Sequence, residues 1–162
     1  MKCRIVAVGN VKNSPLAELQ KPYAQWLQGY MDLTIIEVAT QNPPKNAGDK
    51  EIERQKEKEG EALLEKAGDG VIIALDQKGK QFSSEAFSEK LRDIKDLEGG
   101  KVVFLIGGPN GLSREVRKRS DLVMSFSQMT FPHRLSRVLL LEQLYRAMKI
   151  MYGESNHHYL KE

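Results

Sequence analysis

The sequence predicts an α/β fold, in which a parallel β-sheet is flanked by helices. Five short stretches rich in apolar and β-branched residues alternate with segments that carry helix signals. The last three stretches are apolar at nearly every position, as expected when both faces of a strand are covered. The 162 residues, of which 40% are hydrophobic, suit a single domain spanning residues 1–162.

The five predicted strands lie at residues 3–8, 33–38, 71–75, 102–106 and 122–126. The first strand contains Cys3, the only cysteine of the chain. A lone cysteine cannot form an internal disulfide, so we expect a reduced, buried thiol rather than a nucleophile or a metal ligand. This use of cysteine predicts a cytoplasmic protein.

The first predicted helix begins with a capping pair and contains a proline. Ser14 followed by Pro15 is typical of an N-cap and a first turn. Proline lacks a backbone N–H group and disturbs a helix interior, so Pro22 is expected to kink the helix or to restart it near Tyr23.

The second predicted helix, residues 50–66, is highly charged. Its few apolar anchors are Ile52, Leu63 and Leu64. A solvated face is the default interpretation of such a segment, and contact with RNA is the alternative.

The last three predicted helices have clearer boundaries. Ser83 can cap the third helix, Phe82 and Phe87 are placed as a hydrophobic staple, and Gly99-Gly100 can end it. Ser113 can cap the fourth. The fifth carries an apolar stripe beside a polar one and closes at Gly153; it includes Leu135, Val138, Leu139, Glu142, Tyr145, Arg146 and Lys149.

Charge is divided unevenly along the chain, although the net charge is only +3. Residues 1–100 carry 15 Lys and Arg against 17 Asp and Glu, which gives −2, and residues 101–162 carry 10 against 5, which gives +5. Any RNA-facing surface is therefore expected in the C-terminal third, although a solvated basic helix would show the same pattern.

Neither a membrane segment nor a metal site is expected. The first nine residues hold too few apolar side chains for a signal peptide, and no run of 18 apolar residues occurs, so a soluble protein is predicted. His157 and His158 are adjacent near the end of the chain, and His133 stands far from them, which is not a metal-ligand cluster.

The strongest local feature is the strand at residues 102–106, which runs directly into the glycine turn at residues 107–111 and then into a capped helix. Ligands of parallel sheets bind at the carboxyl ends of strands, and glycine lets the backbone approach a ligand closely. The turn matches neither G-x-G-x-x-G nor the Gly-Lys-Ser/Thr ending of a P-loop. A tight turn without a ligand is the alternative.

A second candidate segment, residues 125–134, follows the fifth strand and has the sequence Ser-Phe-Ser-Gln-Met-Thr-Phe-Pro-His-Arg. Small hydroxyls and large apolar side chains suit the enclosure of an adenine ring, whose edge can hydrogen-bond with the backbone. A structural loop shows this composition less often.

These two segments, together with Arg137-Val138 and residues 142–147, resemble the RlmH family. That family comprises pseudouridine N3-methyltransferases of the large ribosomal subunit and is of the SPOUT class. Val6-Ala7-Val8-Gly9 and residues 58–61 match as well, so the resemblance spans nearly the whole chain.

The resemblance implies a C-terminal trefoil knot, a homodimer, S-adenosylmethionine held in the knot, and action on 23S rRNA in the large subunit or the assembled ribosome. Chain-topology rules alone would not propose a knot. The implied cofactor-binding residues are Leu75, Gly107, Gly108, Phe126, Ser127, Gln128, Met129, Thr130 and Phe131.

Methylation at N3 requires loss of a weakly acidic proton, which a nearby cation would favour and a general base could accept. Arg146 is the first candidate for the cation, and an ion pair with Glu142 one turn earlier is an equally good interpretation. Arg134 and Arg137 are expected to meet phosphate or the partner subunit.

The C-terminal tail departs from the family pattern. Members usually end in Tyr-His-Lys or Tyr-His-Arg, whereas here Leu160 stands between Tyr159 and Lys161. Tyr159 keeps its place as a catalytic candidate, and His158 is the candidate to replace the missing histidine; a frayed tail is the alternative. We expect the tail of one subunit to border the pocket of the other.

Two further functions remain open from the sequence. One is a ribosome-binding protein that keeps the fold and the cofactor pocket but lacks catalysis because of its altered tail. The other is a SPOUT methyltransferase acting on tRNA.

Overall fold

The computed structural model describes residues 1–154, which form alternating strands and helices. The strands are β1 (Lys2–Val8), β2 (Asp32–Val38), β3 (Val71–Gln81), β4 (Lys101–Ile106) and β5 (Leu122–Ser125). The helices are α1 (Pro15–Leu27), α2 (Asp49–Ala67), α3 (Ser84–Leu97), α4 (Arg114–Arg119) and α5 (His133–Met151). The predicted order of elements is confirmed.

The five strands form one parallel sheet in the order β2-β1-β4-β3-β5. Phe104 in the central strand β4 stands in register with Ile5 of β1 and Ile73 of β3. The predicted α/β class with a parallel sheet is therefore correct. The carboxyl end of β4, where the glycine turn begins, lies in the middle of one edge of the sheet.

Helices cover both faces of the sheet. Ile5 and Phe104 belong to a core that includes residues of α1, α3 and α5, whereas Val6 and Leu105 belong to a second core that includes residues of α2 and α4. Successive side chains of a strand point to opposite faces, so two covered faces require apolar residues at every position. This explains the continuous apolar runs in the sequence.

Cys3 is buried in the first of these cores, as predicted. Burial raises the pKa of its thiol to about 12, so the thiol stays protonated near neutral pH. In the part of the chain that the structure describes, no helix combines the length and apolar composition needed to cross a bilayer.

The start of α1 differs from its predicted form. Ser14 occupies the N-cap position, but its hydroxyl donates to the carbonyl of Val11 at 2.6 Å instead of capping the helix. The helix also continues through Pro22 without restarting at Tyr23. Tyr23 and Leu27 pack into the core beyond the proline, and this packing offsets one lost backbone hydrogen bond.

The charged helix α2 is more deeply buried than its composition suggests. Leu63 is a buried anchor, as predicted, but Gln55, Glu59 and Gly60 are buried as well. The predicted solvated face is present, since Glu53, Glu57 and Glu61 of α2 are exposed. The burial of the polar residues Gln55 and Glu59 on the side that faces α4 and the sheet was not predicted.

The remaining helix caps are confirmed, and one strand is longer than predicted. The hydroxyls of Ser83 and Ser113 accept backbone N–H bonds at 3.0 and 3.2 Å. Strand β3 continues beyond residue 75 to Gln81, with an irregular register against β5 between Leu75 and Lys80. Residues 76–79 bulge out of the pairing, and Lys80 and Gln81 pair again with Met124 and Ser125 of β5.

Candidate functional site

A cavity of about 810 Å³ opens where β3, β4 and β5 reach their carboxyl ends. Its walls come from the extension of β3, the glycine turn after β4 and the loop between β5 and α5. The volume lies within the range of roughly 300–1,000 Å³ that is typical of small-molecule sites. The two segments singled out in the sequence therefore share one crevice.

The glycine turn forms one wall with its backbone. A Cβ atom at Gly107 would lie 2.8 Å from the backbone carbon and oxygen of Gly111, so a larger residue cannot fit unless the turn moves. The N–H of Gly111 donates to the carbonyl of Gly108 at 3.0 Å, which closes the turn. The absence of side chains lets a ligand approach the backbone closely.

The loop at residues 126–132 forms the opposite wall and is held by its own serines. The Ser125 hydroxyl donates to the Ser127 carbonyl at 2.8 Å, and the Ser127 hydroxyl accepts the Met129 N–H at 3.0 Å. The extension of β3 adds a clamp, because the Gln77 amide donates to the Gln128 carbonyl at 2.6 Å and accepts from the Thr130 hydroxyl at 2.9 Å. Sequence analysis missed Gln77, because its strand was expected to end at residue 75.

Most of the implied cofactor-binding residues lie together around the cavity. The lining includes Leu75, Gly107, Gly108, Phe126, Ser127, Met129, Thr130 and Phe131. Gln128 is not among the lining residues; it contributes the carbonyl that Gln77 binds. The tail candidates His158 and Tyr159 lie outside the described residues.

Arg146 lies on α5, away from the cavity lining. Its guanidinium donates to the carboxylate of Glu142, and both side chains are half-buried. The ion pair that the sequence left open is therefore present. A role for Arg146 at the acceptor base stays a prediction.

Arg137 corrects one expectation from the sequence. Arg137 is 1% exposed. Its guanidinium donates to the carboxylate of Glu37 at 2.5 Å and to the carbonyl of Gly9 at 3.2 Å. An arginine so deeply buried cannot meet RNA phosphate or a partner subunit. It ties α5 to β2 and to the end of β1. Arg134, three residues earlier on the same helix, is exposed.

His133, the first residue of α5, lines the cavity. Burial, with the positive charges of Arg134 and Arg137, lowers the pKa of its imidazole. The imidazole is therefore neutral near pH 7 and can accept a proton. His133 belongs to the candidate segment at residues 125–134, but no role in proton transfer was assigned to it from the sequence.

Arg117 and Asp76 bring opposite charges to the cavity wall. The Arg117 guanidinium donates to the Asp76 carboxylate at 3.2 Å and to the Leu112 carbonyl at 2.9 Å.

Among the residues that the structure describes, no three potential ligands cluster as a metal site would require.

The chemistry of these walls fits S-adenosylmethionine. Leu75, Leu112, Phe126 and Phe131 offer apolar surface for an adenine ring, and the backbone of the glycine turn can hydrogen-bond with polar groups.

Comparisons with known proteins agree with this geometry. Residues 1–157 match the family model described as "Predicted SPOUT methyltransferase". Among solved structures, the chain is similar to a probable methylase family protein from Haemophilus influenzae Rd KW20, with 13% identity and a TM-score of 0.56. That match covers 99% of this chain and 70% of the other, and at this identity it shows a shared fold alone. The chain belongs to the SPOUT methyltransferase family, whose members take the methyl group from S-adenosylmethionine.

Proposed function

We propose that the protein methylates N3 of a pseudouridine in 23S rRNA, within the large subunit or the assembled ribosome, in the cytoplasm. The observation that carries the proposal is the cavity between the glycine turn and the loop after β5. The choice of this nucleotide rests on the RlmH resemblance of the residues that build the cavity.

S-adenosylmethionine, when bound, supplies a methyl group activated by a sulfonium. The protein's part is to align the donor with the acceptor nitrogen. The backbone of Gly107 and Gly108 and the loop at 126–131 form the proposed donor site. In model reactions, such positioning contributes up to about 7–11 kcal/mol. In the transfer, N3 loses its proton, an N–CH₃ bond forms and the S–CH₃ bond breaks, which leaves S-adenosylhomocysteine.

We assign the role of proton acceptor to His133. It lines the cavity and its pKa is lowered, so it is present as a free base near neutral pH. Below its pKa the imidazole is protonated and cannot take up the N3 proton. The rate of methyl transfer should therefore fall on the acid side of that pKa.

RNA is proposed to approach across the cationic rim of the cavity. Arg117 of α4 lines the cavity, and exposed Arg134 follows His133 of its lining. The exposed side chains of Arg114, Lys118 and Arg119 lie on the same helix but line a second cavity, against α2, so they extend the cationic surface away from the rim. Exposed Lys78 follows Gln77 of the cavity wall. Clustered cations of this kind bind phosphates without reading sequence.

A homodimer is proposed to form through α1 and α5. Trp26 and Tyr152 are about half exposed, and Trp26, Tyr23, Tyr30 and Tyr145 pack as an aromatic cluster between these helices. Exposed aromatic surface of this kind is typical of protein interfaces.

The dimer would also give the remaining catalytic candidates a place to act. Arg146 follows Tyr145 of the aromatic cluster and does not line the cavity of its own chain. We propose that Arg146, with Tyr159 and His158 of the tail, serves the cavity of the partner subunit.

Mass spectrometry of rRNA from a deletion strain, with and without the restored gene, tests the function. We expect one methylated pseudouridine of 23S rRNA to disappear and to return with the gene. A missing tRNA methyl group would instead indicate a tRNA enzyme. Binding of S-adenosylmethionine without restored methylation would indicate a ribosome-binding protein that lacks catalysis.

A further inference from the structure

A buried carboxylate stands behind the glycine turn. Glu59 of α2 is 3% exposed, and its Oε1 accepts a 2.8 Å hydrogen bond from Nε2 of Gln55. The backbone N–H groups of Gln41 and Gly108 also face this carboxylate. Burial raises the pKa of Glu59, and these three donors lower it. A carboxylate is rarely this buried without a cation beside it, so Glu59 needs these hydrogen-bond donors to stabilise its charge.

The same set of bonds reaches the glycine turn at a second point. Nδ2 of Asn110 donates to Oε1 of Gln55 at 2.7 Å. An ionised carboxylate can only accept hydrogen bonds, and this fixes the direction of both bonds: Asn110 donates to Gln55, and Gln55 donates to Glu59. Both Gly108 and Asn110 line the cavity, whereas Gln55 and Glu59 do not.

Contact between Glu59 and the turn requires glycine at position 108. A Cβ atom at Gly108 would lie 2.7 Å from Oε2 of Glu59 and 3.2 Å from Cγ1 of Val8. The carboxylate thus sits directly against the backbone of the turn. A side chain at this position would separate them.

We infer that Glu59 is a positioning residue. It holds the glycine turn in the shape that binds S-adenosylmethionine, directly at Gly108 and, through Gln55, at Asn110. The inference rests on the proposed function, because it concerns the same cavity. The buried polar side chains of α2 take part neither in the proposed reaction nor in the hydrophobic cores, and this role accounts for them. Glu59 acts through the turn and does not touch the ligand.

Glu59→Gln in the full-length chain tests this role. An amide offers one acceptor oxygen where the carboxylate offers two, so at least one of the three donors would face an NH₂ group. We expect the Kd for S-adenosylmethionine, measured by calorimetry, to rise about tenfold or more. The KM for the RNA substrate should stay unchanged, and the amide signal of Gly108 should shift in ¹⁵N–¹H spectra. Glu57→Gln is the matched control, since Glu57 is exposed on the same helix; it should move none of these.

Gln55→Leu provides a second variant, because it cuts the link to Asn110 and keeps the carboxylate. It should also raise the Kd for S-adenosylmethionine. If Glu59→Gln folds poorly, the Kd of Gln55→Leu tests the inference in its place. Wild-type affinity in both variants would overturn the inference, as would lower thermal stability with an unchanged Kd. A wild-type chain that binds no S-adenosylmethionine would instead refute the proposed function, while the Gly108 signal would still report whether Glu59 holds the turn.

Discussion

The substitution Gly107→Ala tests the glycine turn most sharply, since it adds one methyl group where the backbone leaves no room. The added Cβ would lie 2.8 Å from the carbon and oxygen of Gly111 and 3.0 Å from Cδ2 of Leu112. Carbon atoms that are not bonded prefer about 3.5–4.0 Å, so the turn must open by several tenths of an ångström. Two of the three close atoms belong to backbone, which cannot rotate away as a side chain can.

We expect this overpacking to destabilise the fold by about 1–3 kcal/mol. The displaced turn should also raise the Kd for S-adenosylmethionine about tenfold or more, equivalent to about 1.4 kcal/mol. Urea unfolding measures the first effect and calorimetric titration the second. Gly29→Ala is the control, because its Cβ would meet its nearest neighbour, the Trp26 carbonyl oxygen, at an ordinary 3.5 Å, remote from the cavity. Donor affinity equal to that of the wild type in Gly107→Ala would refute the role of the turn.

Three other predictions concern Arg137, Trp26 and His133. Arg137→Met removes the hydrogen-bond donor to Glu37 and should lower the free energy of unfolding in urea by about 1–3 kcal/mol. Arg134→Met, at an exposed site, should lower it little. Equal losses of stability in the two variants would contradict the burial of Arg137. Trp26→Glu should reduce the mass in light scattering from twice 18.4 kDa to 18.4 kDa, and a persisting dimer would exclude this interface. The lowered pKa of His133 means that the unfolded chain binds this proton more readily, so wild-type stability should fall as pH drops below about 6.5. His133→Asn should lessen that fall, and an identical pH profile would contradict the shift.

Much of the fold follows from local patterns in the sequence. The strand at β4 is predictable because a run such as Val102–Ile106, covered on both sheet faces, must be apolar throughout. Ser83 and Ser113 are equally readable, since a capping hydroxyl acts on backbone only three residues away. The predicted restart of α1 after Pro22 was wrong, because the packing that carries the helix past the proline comes from α5, far along the chain. The trefoil knot stays a prediction.

The candidate site was predictable where the residues form continuous segments, as in the glycine turn and the loop after β5. It was not predictable where the chemistry depends on distant partners. Glu59 is one glutamate among several in a charged helix, and its contacts with Gln55 and Gly108 exist only in the folded chain. Gln77 reaches the loop because β3 leaves its regular pairing with β5 between Leu75 and Lys80. Arg137 is buried where Glu37 and Gly9 accept its hydrogen bonds. No local pattern encodes such pairings.

A crystal structure of the protein with S-adenosylmethionine tests the central claim most directly. We predict that the adenosyl group lies between the turn at residues 107–111 and the loop at residues 126–131, with the methyl group facing the side of His133. A donor bound elsewhere on the chain, or a crevice that stays filled by its own side chains at saturating donor, would contradict the proposed function.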